Sequence, residues 1–498
     1  MTLTAPAVVL AYLITLPTLA IALSRRGKGN PAQPHHDLPA WAICLSIVAT
    51  ETSTLTVISV PGIAYTRSMA FVGLAIGYLI GRIAVALWFL PLYQTGGLQS
   101  AYQYLGTRFG PTTQRLASAS FLLTRLLAEA VRLFAGMLPI ASLTASTGLI
   151  SGTGPTTQWA ILILIMGLTA LYTLLGGLRA VIWSDTIQLL LYLTGAIACI
   201  AILTHRTSTT ALTHALTHAH LFTHHTPLFT NAFTPAAAIL GGAILTLASH
   251  GTDQLMIQRC LAARSLNAAR AAMIGSALLV ALLFASLSLI GIMSHETTGQ
   301  TFAQRNLPGP DALFPHIIQT MPPVLSGLLV AGILAATMGS LSSALNAMTG
   351  AILGDFSTPA ETLRRRLALR PETFSRLITA FWAILLILAA RSFSQGSHSA
   401  VLFALSITAY CYAGILGMFV LGMIDRTATT PHALTAFLTT LATIALITLH
   451  PPGGHPIAFS WLVPLGLVTA LASGTFAKLI WKPRQPHQPP AYCARSNT

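Results

Sequence analysis

The sequence predicts an all-α polytopic membrane protein with about 13 transmembrane helices. Three observations carry that reading. Hydrophobic residues make up 54% of the 498 and charged residues 7%, whereas a soluble domain carries about 25% charged residues. Apolar runs long enough to cross a bilayer's hydrocarbon core recur along the whole chain. The formal net charge of +15 lies mainly in the short loops between them.

The runs fall at about 5–23, 41–63, 71–95, 117–143, 157–175, 184–203, 234–253, 271–294, 323–354, 377–391, 399–424, 433–449 and 458–481. The first has no basic residues before it and is followed by Ser24-Arg25-Arg26, the reverse of a cleaved signal peptide. It reads as a retained span with the N-terminus outside. With that start, nineteen of the 26 basic residues fall on inner segments, four on outer ones (Arg67, Arg206, Arg305 and Arg391) and three within spans (Arg82, Arg125 and Arg132). This is the positive-inside pattern, and a miscounted span would scramble it. The C-terminus is then cytoplasmic, and a plasma (inner) membrane location is expected. The basic residues form no stripe interleaved with aromatics, so nucleic acid is excluded as a partner. The partners expected are a small-molecule solute, an ion and the lipid bilayer.

The second run, Trp41–Tyr65, carries Thr50, Glu51, Thr52, Ser53, Thr54 and Thr56 and then Pro61-Gly62. Polar groups at membrane depth usually face a cavity or pathway, and an interrupted helix is a common way to build a transport site. Glu51 can tune a cation site or hold a helix partner, and the second, supporting role is favoured. In the fourth run, Arg125, Glu129 and Arg132 are spaced to share one helix face. Glu129 can pair with one arginine and leave the other fork for a carboxylate, or the group can be an internal fastening. Arg132 is the better candidate for contact with solute.

Between the fifth and sixth runs, Gly176-Gly177 ends one helix and Trp183 anchors the next at the interface. Asp185 sits near that helix's start, where the dipole favours negative charge. The external loop 203–227 holds His205, His214, His218, His220, His224 and His225. His214 and His218 stand one helical turn apart, as metal ligands do, but no carboxylate or cysteine accompanies them, and a compositionally biased loop is the better reading. The run 333–356 is rich in Gly, Ala and Ser, which serves close helix packing or a quiet oxygen site for a small hard cation. Spacing leaves that choice open. The five cysteines form no CxxC pair, so neither a disulfide framework nor a zinc site is indicated. With 11 acidic residues in all and no HExxH, the chain is not expected to be an enzyme.

Four stretches together resemble a known family. Tyr172-Thr173-x-x-Gly176-Gly177-Leu178-x-Ala180-Val181-x-Trp183-Ser184-Asp185-x-x-Gln188 resembles the hallmark motif of the sodium:solute symporter family. Ala49-Thr50-Glu51-Thr52-Ser53 followed by Pro61-Gly62-x-x-Tyr65 is similar to its second span. Ser249-His250-Gly251-Thr252-Asp253-Gln254 with Gln258-Arg259 is similar to the end of its seventh, and Gly332 to Asn346 to its ninth.

The resemblance implies a LeuT-type core of two inverted five-helix repeats, 41–204 and 234–424. Around it lie a first helix with its cytoplasmic loop (1–40), the external loop 205–233, two further spans (425–481) and a disordered cytoplasmic tail (482–498). Spans 2 and 7 would be the broken ones, with Pro61-Gly62 and Gly241-Gly242 consistent with that. A sodium ion (Na+) would sit between spans 2 and 9, on the carbonyls of Ala49, Thr52 and Ala336 and on side chains at positions 339 and 340. Here Ser340 is present but the other position is Gly339. One oxygen is lost, and a water, Thr337 or Ser343 would have to replace it. Solute would lie near Ser53, Thr54, Thr56 and Arg132, and Asp185 would serve the ion path. The function implied is sodium-coupled symport of a small polar, carboxylate-bearing solute by alternating access. The alternatives are a proton-coupled symporter, a uniporter, or a solute sensor of the same fold.

Overall fold

In hydrocarbon a backbone amide finds its partner only within its own helix, and the apolar runs are indeed helical. The computed structural model describes residues 4–25, 38–66, 68–98, 100–147, 154–224, 226–393 and 400–481. Part of the first inner loop (26–37), Arg67, His225 and the predicted tail 482–498 lie outside the described residues.

The chain begins with α1 (Thr4–Arg25), α2 (Ala40–Glu51) and α3 (Thr54–Ala64). The third run is α4 (Ala70–Ala84), a π turn at Val85–Phe89 and α5 (Leu90–Thr95). A short α6 (Gln103–Phe109) leads to α7 (Pro111–Thr147), and α8 (Pro155–Arg206) holds the fifth and sixth runs. After α9 (Thr209–Thr217) in the external loop come α10 (Gly242–Gly251), α11 (Gln254–Leu261) and α12 (Leu266–Thr298). The remaining helices are α13 (Leu313–Thr320), α14 (Pro323–Asp355), α15 (Ser357–Arg366), α16 (Pro371–Arg391), α17 (Ala400–Ile424), α18 (Thr430–Leu449) and α19 (Phe459–Ile480).

Among the described residues, nine helical segments are long and apolar enough to cross a membrane, or ten if the bent pair α2–α3 counts as one span. The sequence reading expects about 13. The other stretches are helical but miss the criterion. Thr4–Leu19 and Ala237–Gly251 are shorter apolar helices, and α7 carries Arg125, Glu129 and Arg132.

Two details differ from expectation. The break in the second run falls at Thr52–Ser53, not at Pro61-Gly62; α3 runs through Pro61, and the pair is bent by 66°. Pro61-Gly62 instead marks tight packing. A Cβ at Gly62 would strike the Pro310 backbone, and one at Gly291 the Pro61 carbonyl. Likewise, the chain stays helical through Gly241-Gly242, with a π turn at Ala237–Gly241, and is interrupted at Thr252-Asp253 instead. A Cβ at Gly241 would stand 2.6 Å from the Ser460 carbonyl oxygen, so this glycine permits close helix approach.

The helix at the centre is α14. Its most apolar stretch is 89% buried, against 33–67% for the other spans, and it packs on α1, α2, α3, α7, α8 and α16. Its Gly, Ala and Ser content makes that crowding possible.

Candidate cation and solute site

The site begins where α2 stops. Thr52 leaves the helix at φ −77°, ψ 82°, and Ser53 is extended. The Thr52 amide still donates to the Val48 carbonyl at 2.8 Å, but the Ser53 amide turns to the Glu51 carbonyl at 2.9 Å. Ser53 is the residue whose amide would have closed on Ala49 in a continuing helix. The Ala49 carbonyl is thus released from the helical ladder beside Thr52, and both residues are buried. Ser53 and Thr56 are buried too, while the Thr54 hydroxyl lies 2.5 Å from that of Thr337 on α14.

Across from the break, α14 presents Ala336, Gly339 and Ser340, all buried. Ser340 donates its hydroxyl proton to the Thr337 carbonyl at 3.0 Å, which leaves its oxygen able to accept. Both side chains expected to stand in for the missing hydroxyl at 339 are engaged elsewhere. Thr337 bonds Thr54 and the Ile333 carbonyl, and Ser343 accepts from Arg259 and donates to Asp185 Oδ2 at 3.5 Å. Two other groups face Gly339. A Cβ built there would lie 2.5 Å from Gln188 Oε1 and 3.3 Å from Asp185 Oδ1. These two oxygens are buried and have no hydrogen-bond partner among the described residues.

Asp185 itself is well held through its other oxygen. Oδ2 accepts from Ser46 at 2.7 Å, Thr50 at 3.4 Å and Arg259 at 3.2 Å. Arg259 also donates to Ser46 at 2.9 Å and to Ser343. One fully buried guanidinium therefore joins α2, the second half of α8, α11 and α14.

The arginines of α7 form a second network. Glu129 contacts both: Arg132 closely and Arg125 at 3.4 Å. Arg125 is further tied to Asp253, which caps α11, and to the Tyr412 hydroxyl at 2.7 Å; Tyr412 in turn donates to Asp253. The side chain of Arg132 is the more open, 15% exposed against 5% for Arg125. Glu51 pairs with the buried Arg82 of α4, which also donates to Ser276 at 2.5 Å. His250 Nε2 stands 3.8 Å from the same Glu51 carboxylate.

The structure thus buries Ala49 and Thr52 at the end of α2 and Ala336, Gly339 and Ser340 on α14, a helix packed against it, with Asp185 and Gln188 beside Gly339. Sequence reasoning gave no role to Arg82, Gln188, Asp253, Arg259 or Tyr412. For Arg82 a signal existed: a lone arginine inside an apolar span needs a buried partner, and Glu51 was the carboxylate without one. In the external loop the His214 and His218 rings stack at 4.2 Å, and His218 Nδ1 lies 2.8 Å from the His214 carbonyl. Among the described residues no group of three or more metal-binding side chains is found.

The chain resembles known proteins in sequence and in fold. The family model for the sodium:solute symporter family matches residues 35–440. The human sodium/iodide cotransporter is 26% identical over 83% of this chain, which spans only 64% of that protein's length. The sodium/sialic acid symporter SiaT of Proteus mirabilis is 24% identical over 96% of this chain and 95% of its own. A solved substrate-bound, outward-open state of a Na+-coupled sialic acid symporter superposes with a TM-score of 0.80 at 23% identity, covering 98% of this chain and 100% of that one. A family model spanning most of the chain, joined to the same helical architecture, establishes that this protein belongs to the sodium:solute symporter family, whose members are transporters and not enzymes.

Proposed function

We propose that this protein couples sodium entry to uptake of a small polar, carboxylate-bearing solute across the inner plasma membrane by alternating access, with its N-terminus outside and its C-terminus cytoplasmic. The observation that carries the reading is the interruption of α2, which releases the buried Ala49 carbonyl beside Thr52 on a helix that packs against α14, the carrier of buried Ala336 and Ser340. Such a donor set suits a small hard monovalent ion. Sodium is cargo here, and its binding would fasten α2 to α14. Solute would lie at the break beside Ser53 and Thr56, with Arg132 as the carboxylate partner. Thr54, already bonded to Thr337, would shape that face from the α14 side. Glu51 supports the break from behind through Arg82. The preference for an anionic solute is supported by Arg132, the more exposed of the two α7 arginines, and by the named cargoes of relatives: iodide, sialic acid and monocarboxylates. Coupling requires each ligand to raise the other's affinity, and linkage makes that reciprocal.

The test is uptake into proteoliposomes under an imposed sodium gradient, against a panel of carboxylates, amino acids and sugars. Uptake of a carboxylate that rises with the sodium gradient is expected. Gly339 favours one second reading, a proton-coupled version of the same transporter. Uptake that ignores sodium and follows a pH gradient would establish it and overturn the first.

A further inference from the structure

We propose that the side-chain carbonyl of Gln188 is a cation ligand, supplying the oxygen that residue 339 lacks. The inference rests on the sodium reading above and adds to it a residue from α8. Gln188 is 1% exposed. Its amide nitrogen is directed to the Tyr12 hydroxyl at 3.3 Å, which turns Oε1 the other way, toward α14. There Oε1 lies 2.5 Å from the point where a Cβ on residue 339 would begin. Asp185, one helical turn earlier on the same face, presents Oδ1 at 3.3 Å from that point. Both oxygens are buried acceptors with no donor among the described residues.

Two converging acceptors without a donor are an unfavourable arrangement unless something positive joins them. Gly339 offers only its own backbone, and Thr337 and Ser343 are engaged elsewhere. A small cation satisfies both oxygens at once. Because Arg259 already balances the Asp185 charge through Oδ2, the added ligand should favour a monovalent ion over a divalent one. The glycine then has a positive role. Any side chain at 339 would occupy the place of Gln188 Oε1, so the hydroxyl of one helix has been exchanged for the amide oxygen of another.

The experiment uses the purified full-length protein in detergent and sodium alone as the probe. Thermal stability is titrated with sodium chloride at constant ionic strength held by choline chloride. The native protein should be stabilised by sodium. Gln188→Met, which keeps the volume and removes the oxygen, should raise the half-saturating sodium concentration by about tenfold, and Gln188→Ala similarly. Gly339→Ser alone should also weaken sodium binding, because the new side chain meets Gln188. Combined with Gln188→Ala, it restores a hydroxyl in the vacated space and should return half-saturation to within about threefold of the native value. The rescue is the deciding readout when set against Gly339→Ala with Gln188→Ala, which refills the same space without an oxygen and should not restore sodium binding. Gln188→Met and Gln188→Ala titrating like the native protein would overturn the proposal. So would a double variant no better than Gln188→Ala alone, which would leave a buried water as the occupant. A native protein indifferent to sodium would instead overturn the sodium reading itself.

Discussion

Arg125 and Arg132 lie two turns apart on one helix face, yet the structure gives them different work. Arg125 is committed to Asp253, Tyr412 and Glu129, and joins α7 to α11 and α17. Removing one partner from such a buried set leaves charge uncompensated, at a cost of about 3–5 kcal/mol. Arg125→Ala should therefore melt far below the native protein in detergent, whatever solute is present. Arg132 keeps one side toward Glu129 and is part-exposed. Arg132→Lys keeps the charge and loses the planar fork. It should melt near the native temperature while raising the half-saturating solute concentration in uptake by about tenfold. An unchanged value would remove Arg132 from the solute site. Spacing alone showed that Arg125, Glu129 and Arg132 share a face. It did not show which arginine was already spent, because Asp253 and Tyr412 belong to distant parts of the chain.

At the scale of elements, local chemistry announces that a helix is interrupted more clearly than where. The second run was expected to break at Pro61-Gly62 and breaks at Thr52–Ser53. The proline and glycine there serve contacts with Gly291 and Pro310, which no local rule reveals. The Gly176-Gly177 expectation fared differently. The two halves of α8 meet at Gly177, whose φ of 58° and ψ of −160° lie in a region open essentially to glycine alone. Nothing lies within 4 Å of a Cβ built there, so the demand is on the backbone and not on space. Gly177→Ala should cost about 1–3 kcal/mol, read as a lowered melting temperature, with the sodium concentration for half-stabilisation little changed. A melting temperature equal to the native one would show that the bend tolerates a side chain.

Across the whole molecule, the Arg259–Asp185 pair fastens four elements on the side read as cytoplasmic. It reaches Ser46 on α2, Asp185 on α8 and Ser343 on α14 from its own place on α11. Release of ion and solute to the inside would require this joint to part. Arg259→Gln should therefore loosen inner closure. In proteoliposomes loaded with solute and lacking sodium, efflux should rise several-fold over the native protein, and concentrative uptake should fall. Efflux equal to the native rate would mean that the joint is only a fastening.

By itself the sequence determined the helical membrane class, the position of each apolar run and the family motifs. These are properties of composition, spacing and order, and they survive without knowing which helix touches which. Only the tertiary structure decided that Gln188 and Asp185 stand over Gly339, that Arg259 closes on Asp185, and that Arg82 answers Glu51. Each of those is a meeting of side chains from separate helices. In a bilayer such meetings are set by how small residues let helices approach and by the need of every buried polar group for a partner.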